Sequence, residues 1–371
     1  MIRRLLLLLP ALLAVGQPKA AAQPLPTPAR PYWTFSLPAP RPIDAADTLT
    51  LRFIGDVMMH RPQLKHDYSA FFRNVAAPMR SADIAVANME FPLAGPPYTG
   101  YPSFSAPDAY AWTVCADLSL DVALLSNNHI LDKGRGGVER TLAVYDAVRD
   151  SLGTLRTGVS RDSAEDAVLH PALIRRKGIS VAFVNFTYGN NVGPQPFDRP
   201  RIAVMEEEEV AALVSRARER GADFVIALPH WGEEYRLRHS REQEAWANRL
   251  ASWGVDAVVG AHPHVVQDTA SVSGMPVVYS LGNAVSNMSA PNTRLELMAT
   301  LRLVRHPSGR CEVLPPDLRF MWCTLPGKLT AGYAVIFVDE WVGRRDAWAD
   351  PSDYDEMMAT LARVKAATGI R

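Results

Sequence analysis

Apolar runs alternate with amphipathic stretches along the chain, in a rhythm that predicts strands followed by helices. The run ISVAFVNFTYG, Ile179 to Gly189, is apolar almost throughout, as expected of a strand buried on both faces. Upstream of it, GVERTLAVYDAVRDSLG places Leu142, Tyr145 and Val148 at helical spacing before Gly153. This succession predicts an α/β fold in which helices cover the sheets.

Capping and charge patterns predict further helices. MEEEEVAALVSRARERG has acidic residues in its first turn and basic residues in its last, in agreement with the helix dipole. Ser240 and Gln243 form a capping box for the next helix, which Gly254 ends. Towards the C terminus, LELMATLRLVRH and CEVLPPDLRFMWCTL alternate like antiparallel strands, and PSDYDEMMATLARVKAATG predicts a closing amphipathic helix.

Five apolar runs end abruptly in polar side chains. These are Asp56 and His60 in LRFIGDVMMH, Asn88 and Glu90 in DIAVANME, Asn127, Asn128, His129 and Asp132 in DVALLSNNHILD, His230, Trp231, Glu233 and Glu234 in DFVIALPHWGEEY, and His262 and His264 in VVGAHPHVVQ. Ligands of open α/β sheets gather beyond the carboxyl ends of strands, so these side chains should converge. Two imidazoles two residues apart on such a loop can direct their nitrogens at one metal ion.

Each of these residues also has a structural interpretation. Asp56 and Asn128 could cap helices that follow their strands. Glu90 could pair with an arginine such as Arg135, and His60 could be an exposed loop residue. Taken together, however, Glu90, Asn128 and the three histidines His230, His262 and His264 favour metal binding.

The ends of the chain indicate its domain organisation. Residues 1–22 (MIRRLLLLLPALLAV and a run of alanines) are typical of a cleavable signal peptide, with an uncleaved membrane anchor as the alternative. Residues 23–47 form a proline-rich linker or a strap over the domain. We expect one large domain over residues 48–330, with a strand and a helix in residues 331–371 packed on it. Export implies a periplasmic or secreted protein.

Composition excludes one class of partner and leaves the cysteines open. The 39 basic residues are balanced by 39 acidic residues, so nucleic-acid binding is disfavoured. Cys311 and Cys323 flank a predicted strand and could form a disulfide in an oxidising compartment, leaving Cys115 buried and free. Three free thiols are the alternative.

The ordered motifs resemble one protein family. GDVMMH, NME, NNHILDKG, HWGEEY, GAHPHVVQ and YSLGNAVSN lie between about Thr48 and Asn287, and in this order they resemble the CapA family of bacterial poly-γ-glutamate capsule synthesis proteins. That family is related to the calcineurin-like metallophosphoesterases. The resemblance implies an α/β (α+β) four-layer sandwich, with two mixed β-sheets flanked by helices and a metal site at the strand ends.

The resemblance also implies roles for individual residues. The metal ligands would be Asp56, Glu90, Asn128, His230, His262 and His264, holding one or two divalent transition-metal ions (Mn, Zn or Fe). His129 and Asp56 would be catalytic, with His129 acting as a general acid or as a stabiliser of charge. One departure matters, because Met58 stands where those enzymes usually have a histidine. The second metal position should therefore be weaker, with His60 as a substitute ligand if the turn bends back.

The substrate is the least defined feature. Arg135, Arg236 and Arg238 lie near motif ends and could receive a phosphate or a polyglutamate carboxylate, although any one of them could be an ordinary surface arginine. Trp231 and Asn283 are further candidate substrate contacts, with packing the alternative for Trp231. The long aromatic segment Pro92 to Trp112 is expected to shape the pocket.

Three functions are consistent with this sequence. The first, implied by the resemblance, is an exported CapA-like protein of capsule polymer synthesis or export with a phosphoesterase-type hydrolase site, working with membrane-bound synthesis machinery. The second is a stand-alone extracytoplasmic metallophosphoesterase. The third is a non-enzymatic subunit that holds an anionic polymer on the same fold. The expected ligand is thus an anionic polymer or a phosphoester.

Overall fold

The computed structural model describes residues 47–193, 195 and 197–371. The predicted signal peptide, residues 1–22, lies outside the described residues, as does the predicted linker up to residue 46. The last linker position, Asp47, is instead the first residue of a strand. Within the described ranges, no helix is both long and apolar enough to cross a membrane.

Sixteen strands are present in the described residues. They are β1 (Asp47–Val57), β2 (Ile84–Met89), β3 (Val122–Leu124), β4 (Leu155–Thr157), β5 (Val159–Ser160), β6 (Ala172–Arg176), β7 (Ile179–Thr187), β8 (Arg201–Ile202), β9 (Phe224–His230), β10 (Ala257–Val259), β11 (Thr269–Val272), β12 (Met275–Val278), β13 (Leu295–Arg305), β14 (Cys311–Val313), β15 (Asp317–Thr324) and β16 (Ala334–Phe337).

Seven α-helices occupy the same part of the chain. They are α1 (Ala76–Arg80), α2 (Asp108–Leu118), α3 (Gly134–Leu152), α4 (Ser163–Leu169), α5 (Glu207–Glu219), α6 (Arg241–Ser252) and α7 (Pro351–Thr368). The predicted capping box of Ser240 and Gln243 is confirmed at the start of α6. The predicted end of α3 is also confirmed, because Gly153 follows it with a left-handed φ of 82° that suits glycine.

Most strands belong to two mixed sheets. The eight-stranded sheet has the order β16-β15-β13-β1-β2-β3-β4, with β14 beside β13. In it β1 to β4 run parallel, whereas β13, β15 and β16 pair antiparallel. The six-stranded sheet has the order β11-β12-β10-β9-β7-β6, in which β7, β9, β10 and β12 are parallel. A short third sheet pairs β5 with β8.

The buried side chains form three layers, which explains the four-layer architecture. Phe224 and Ile226 of β9 pack in the core between the two large sheets, while Val225 on the opposite face packs against α5 and α6. The outer face of the eight-stranded sheet packs on helices through residues such as Tyr110 of α2 and Tyr145 of α3. A strand buried on both faces, such as β7, is apolar at most positions, as the sequence indicated. The predicted fold class of two mixed sheets flanked by helices is confirmed.

The C-terminal strand and helix pack on this sandwich. β16 extends the eight-stranded sheet beyond β15, and α7 contributes Met357 and Val364 to the core between the sheets. Arg294, just before β13, donates to both carboxylate oxygens of Asp353 in α7, at 2.6 and 2.7 Å. These contacts attach α7 to the eight-stranded sheet.

Of the two alternatives for Cys311 and Cys323, a disulfide and free thiols, the structure has the free thiols. Cys311 lies opposite Arg305 at one end of β13, and Cys323 follows the residue opposite Leu295 at the other end. Ten strand residues separate those positions by roughly 33 Å, whereas bridged Cα atoms lie within about 7 Å. All three cysteines are free, and Cys115 is buried as expected.

Candidate functional site

The polar strand ends converge as the sequence predicted. Asp56 lies at the end of β1, Glu90 directly follows β2, and His230 is the last residue of β9. Asn128 and His129 follow β3, and the loop after β10 carries His262 and His264. Every one of these side chains is at most 3 % exposed. Side chains from both large sheets therefore share one buried site.

Glu90 occupies the centre of the site. Its Oε1 lies 3.6 Å from His230 Nε2, 3.9 Å from His264 Nε2 and 4.0 Å from His129 Nε2. Both carboxylate oxygens are buried without a hydrogen-bond partner. Burial, and then the charge of Asp56, raise the pKa of Glu90 well above its ordinary value. A buried carboxylate in this state needs a proton or a cation.

Asp56 is held in place by its neighbours. Asn88 Nδ2 donates to its Oδ1 at 2.7 Å, and the backbone N–H of His262 donates to its Oδ2 at 3.2 Å. His264 Nδ1 lies 3.3 Å from the same Oδ2. The backbone N–H of Asp56 donates to Gly282, so the loop after β12 fixes this strand end. Asp56 is therefore an oriented carboxylate and not a helix cap.

The loop that carries His262 and His264 is conformationally unusual. Both histidines have positive φ angles, 100° and 57°, in a region that non-glycine residues seldom adopt. Two backbone hydrogen bonds hold the loop, from Trp231 to Ala261 and from Tyr235 to Pro263. Strained backbone of this kind occurs at functional sites, where the surrounding structure fixes it. Both rings are buried, with centroids 5.9 Å apart.

The three histidines differ in their electrostatic environment. Burial, and then neighbouring histidines, lower the pKa of His230 and of His262 well below the ordinary value. Burial has the same tendency at His264, but the hydrogen bond and charge of Asp56 outweigh it and raise the pKa. Asn283 Oδ1 lies 2.9 Å from His264 Nδ1. The lowered pKa favours the neutral imidazole at His230 and His262, which is the form that binds metals.

Asn128 and His129 lie side by side with different partners. Asn128 Oδ1 lies 2.9 Å from His230 Nε2. His129 Nδ1 lies 2.7 Å from Asp132 Oδ2, and the Phe104 ring packs edge-on at 4.5 Å. A carboxylate on one ring nitrogen fixes the orientation of a histidine, as in the outer contacts of metal and catalytic sites. Helix α3 begins only at Gly134, so Asn128 does not cap it.

The donor set fits a divalent transition metal. Ligand atoms of Glu90, His262 and His264 all lie within 4.8 Å of one another, and so do those of Asp56, Glu90 and His230. Glu90 belongs to both groups, and its oxygens together with His262 Nδ1 have no other partner. Nitrogen and oxygen donors of this kind suit Zn²⁺, Mn²⁺ or Fe.

Met58 and His60 both lie near the site without joining these groups. Met58 is buried in the core that also contains Tyr110 of α2. His60 Nδ1 accepts from the backbone N–H of Asn287 at 3.2 Å, and its ring packs on Phe104 at 5.3 Å. Burial lowers the pKa of His60 to about 4. Among described side chains, the two candidate ligand groups do not include His60.

Three residues predicted to contact substrate have other partners. Trp231 is fully buried, and its Nε1 donates to the Tyr279 carbonyl at 2.9 Å, so it packs instead of stacking on a substrate. Arg135 is bound to Glu139 on the helix surface at 2.7 Å and does not pair with Glu90. Asn283 is also fully buried, where it contacts His264. The prediction of substrate stacking is therefore wrong for Trp231, whereas substrate contact at Arg135 and Asn283 stays a prediction.

Sequence reasoning missed several residues around the site. Tyr188 packs on His262 with ring centroids 4.5 Å apart, and Tyr235 lies 6.2 Å from His264. Asn191 contacts both Asn128 and His129 through its side chain. Glu296 of β13 is fully buried with both oxygens unpartnered. The signal for Glu296 was a lone carboxylate inside an apolar strand, whereas the others lie in loops without a pattern.

Comparisons with known proteins identify relatives of this chain. A family model described as "Bacterial capsule synthesis protein PGA_cap" matches residues 50–288. PGA biosynthesis protein CapA of Bacillus subtilis (strain 168) is 27% identical over 283 residues, covering 73% of this chain and 72% of that protein. Capsule biosynthesis protein CapA of Bacillus anthracis is 26% identical over 288 residues, covering 74% of this chain and 68% of that protein.

Solved structures with a similar fold include calcineurin-like phosphoesterase YfkN from Bacillus subtilis. The alignment covers 74% of this chain and 91% of the YfkN chain, with 12% sequence identity and a TM-score of 0.46. For a 5'-nucleotidase precursor from Thermus thermophilus, the alignment covers 86% of this chain and 59% of that chain, with 15% sequence identity and a TM-score of 0.44.

Proposed function

Because the chain belongs to the PGA_cap family of bacterial capsule synthesis proteins, we propose that it acts in the synthesis or export of a poly-γ-glutamate or related capsule polymer, through a metal-dependent hydrolase site. The reaction class we propose is hydrolysis of a phosphoester. The observation that carries this proposal is the buried, unpartnered Glu90 carboxylate with three histidines within 4.0 Å.

The ligands of the metal follow from the same geometry. Asp56, Glu90, Asn128, His230, His262 and His264 would hold one or two ions of Mn, Zn or Fe. When bound, such an ion supplies Lewis acidity and activates water. Burial lowers the pKa of His230 and His262, so a metal ion need not displace a proton from them at neutral pH. This favours metal binding at these two residues.

His129 is the residue best placed to handle a proton. Its Nδ1 is engaged by Asp132, so the ring is oriented and Nε2 faces the Glu90 side of the site. We infer that Nε2 protonates the leaving oxygen or stabilises negative charge that develops on the substrate. Asp56 positions His264 and the backbone of His262. The catalytic role that we propose for Asp56 is therefore to hold His262 and His264 in place as ligands.

The cellular setting of the proposal rests on the sequence ends and the relatives. Residues 1–22 carry the pattern of an export signal, which supports a location in the periplasm or outside the cell. Two relatives are named for capsule or PGA biosynthesis, and we propose that this chain likewise works beside membrane-bound polymer synthesis machinery. The substrate would be a phosphoester or the anionic polymer itself.

Turnover of bis-p-nitrophenyl phosphate by the metal-reconstituted full chain tests the hydrolase proposal. The wild type should hydrolyse the ester, and His129→Gln should lower kcat by about 10² to 10⁴-fold while metal content stays unchanged. In the producing bacterium, the same substitution should reduce capsule polymer. Turnover without any effect on the polymer would favour a stand-alone metallophosphoesterase. A metal-loaded chain that hydrolyses no phosphoester would contradict the hydrolase proposal.

A further inference from the structure

The segment that follows β7 contacts site residues of both large sheets. The backbone N–H of Tyr188 donates to the carbonyl of His230 at 2.9 Å, and that of Asn191 donates to the carbonyl of Asn128 at 3.0 Å. His230 ends β9 of the six-stranded sheet, whereas Asn128 follows β3 of the eight-stranded sheet. The segment is therefore attached to the backbones of two candidate ligands, which fixes the position of Asn191 beside the site.

The Asn191 side chain determines which end of the Asn128 amide faces the cluster. Asn128 Nδ2 donates to Asn191 Oδ1 at 3.3 Å, and Asn128 Oδ1 lies 2.9 Å from His230 Nε2. The oxygen of an asparagine amide has lone pairs that can bind a cation, whereas its NH2 group is only a donor. A hydrogen bond that retains the NH2 end therefore leaves the oxygen end directed at the cluster.

The same Asn191 amide lies over the ring of His129. Asn191 Nδ2 is 3.2 Å from His129 Nδ1 and 3.4 Å from His129 Nε2. A group almost equidistant from both ring nitrogens cannot lie in the plane of the ring, because it would overlap a ring carbon there, so it lies against the face. Asp132 Oδ2 contacts Nδ1 at 2.7 Å and the Phe104 ring packs on the imidazole at 4.5 Å. Asn191 thus adds a third contact, which restricts the tilt of the ring.

The neighbouring Asn190 has a different task in the same segment. Its Oδ1 accepts from the backbone N–H of Val192 at 2.9 Å, a hydrogen bond that stays within the turn. Asn191 is exposed and Asn190 is half-buried, so truncation of either side chain opens no cavity in the core. The two asparagines therefore separate support of the turn from contact with the site.

We propose that Asn191 is a positioning residue, which orients Asn128 and His129 through one amide so that both act on the same substrate group. Its oxygen holds the Asn128 amide in the orientation that binds metal, and its nitrogen holds the His129 ring where Nε2 faces Glu90. The positions of the metal and of the proton donor are thereby coupled. This inference rests on the proposed function for the reaction, whereas the orientation of the two side chains is measured without turnover.

NMR spectra of the histidine rings in the metal-free full chain test the contact with His129. The His129 signals are identified by their absence in His129→Gln. Asn191→Ala should shift or broaden these signals at pH 7, because the ring loses a contact on its face, whereas Asn190→Ala should leave them in place. The proposal would be overturned by unchanged His129 signals in Asn191→Ala or by equal changes in both variants. A shift of the His170 signals as large as that of His129 would overturn it as well, because His170 lies beside Asp166 and not at the site.

Competition with a chelator for Mn²⁺ tests the contact with Asn128. Asn191→Ala should weaken metal binding by about 10 to 100-fold, because the Asn128 amide is then free to turn its oxygen away from the cluster. Asn190→Ala should keep the wild-type affinity within about twofold, as expected of a substitution away from the ligands. Equal metal affinities of the two variants would overturn the role of Asn191 at Asn128.

A double-mutant cycle shows whether Asn191 acts through His129. At saturating metal, Asn191→Ala should lower kcat for bis-p-nitrophenyl phosphate by about tenfold or more, with a smaller change in KM. In a His129→Gln background, the same substitution should change kcat by less than about twofold, because the ring that Asn191 positions is gone. Equal factors in the two backgrounds would overturn the positioning role.

These measurements separate the inference from the proposed function. A wild-type chain that hydrolyses no phosphoester would contradict the hydrolase, and a shift of the His129 signals in Asn191→Ala alone would then still support the positioning role. Turnover that Asn191→Ala leaves at the wild-type rate would support the hydrolase and overturn the positioning role.

Discussion

At the scale of single residues, His129 depends on Asp132 for its orientation. Asp132 Oδ2 lies 2.7 Å from His129 Nδ1 and also accepts from the Phe104 backbone. We predict that Asp132→Ala lowers kcat for phosphoester turnover by about 10 to 100-fold with little change in metal content. Ser103→Ala is the control, because the Ser103 hydroxyl donates to the Asp132 backbone carbonyl and not to its carboxylate. Equal activity of Asp132→Ala and wild type would show that the pair has no role.

His170 should make stability depend on pH. It is buried between Asp166, Glu165, Arg156 and Arg216, and burial is the main cause that lowers its pKa to about 4. Its folded-state pKa lies below the unfolded value of about 6.5, so its contribution to stability is present above pH 6.5 and is lost as the pH falls towards 4.

The unfolded chain binds a proton at His170 more readily than the folded chain does, so acid favours unfolding through this residue. Chemical denaturation at pH 7, 5.5 and 4.5 should therefore show a smaller loss of unfolding free energy in His170→Gln than in wild type. The comparison with wild type removes contributions from the other buried histidines. Parallel pH profiles for the two proteins would contradict the assignment.

The convergence of the candidate ligands could be predicted from the sequence because each one follows an apolar run. Glu90 and His230 stand at strand ends, where the topology of parallel sheets brings them together. Asn191 and Tyr188 could not be predicted, since their positions depend on loop conformations that no repeat or capping signal encodes. The burial of Trp231 could not be predicted either, because an aromatic side chain next to a site residue can face the core or the site.

At the scale of elements, the site requires close contact between β1 and the loop after β12. A Cβ at Gly55 would lie 1.9 Å from the Gly282 carbonyl oxygen. Gly55→Ala must push the two segments apart, which also displaces Asn283 from His264. We predict a loss of about 3 kcal/mol or more in unfolding free energy, together with weaker metal binding.

Gly136→Ala serves as the control for Gly55→Ala. Gly136 lies in the first turns of α3, and an added Cβ there would meet nothing within 4 Å. It should raise stability by up to about 1 kcal/mol, since alanine loses less entropy in a helix. Similar unfolding free energies for the two variants, measured by denaturant titration, would show that the contact at Gly55 is not tight.

The attachment of α7 depends on one buried ion pair. Asp353 is only 4 % exposed, and Arg294 bonds it bidentately while lying 4.4 Å above the Trp322 ring. Asp353→Ala leaves the buried guanidinium unpaired and should cost about 3 to 5 kcal/mol. Asp355→Ala on the same helix breaks a similar pair with Arg345 that is solvent-exposed, and it should change stability little. Equal unfolding free energies of the two variants in denaturant titrations would contradict the role of burial.

Element types were predictable where period and capping agreed, as in α3, α6 and β7. The registers were not, because pairing across β13 is decided by the packing of the whole sheet. That register also keeps Cys311 and Cys323 apart, since they lie beside opposite ends of β13. Proximity in sequence gave no information about distance along a sheet.

At the scale of the whole molecule, two sheets supply ligands to one cluster. Asp56, Glu90 and Asn128 come from the eight-stranded sheet or its loops, and His230, His262 and His264 come from the six-stranded sheet. A bound ion therefore links the two sheets and should stabilise the fold by mass action. The two ligand groups support a metal site at this junction of the sheets.

Metal content of the purified full chain tests the central claim most directly. Metal content is measured by elemental mass spectrometry for the wild type and for a His262→Ala, His264→Ala double variant. Phosphoester turnover is measured for the same two proteins. We expect about one or two transition-metal ions per wild-type chain, lost together with turnover in the variant. A folded wild-type chain that stays metal-free after reconstitution with Mn²⁺, Zn²⁺ and Fe²⁺, and hydrolyses nothing, would contradict this claim.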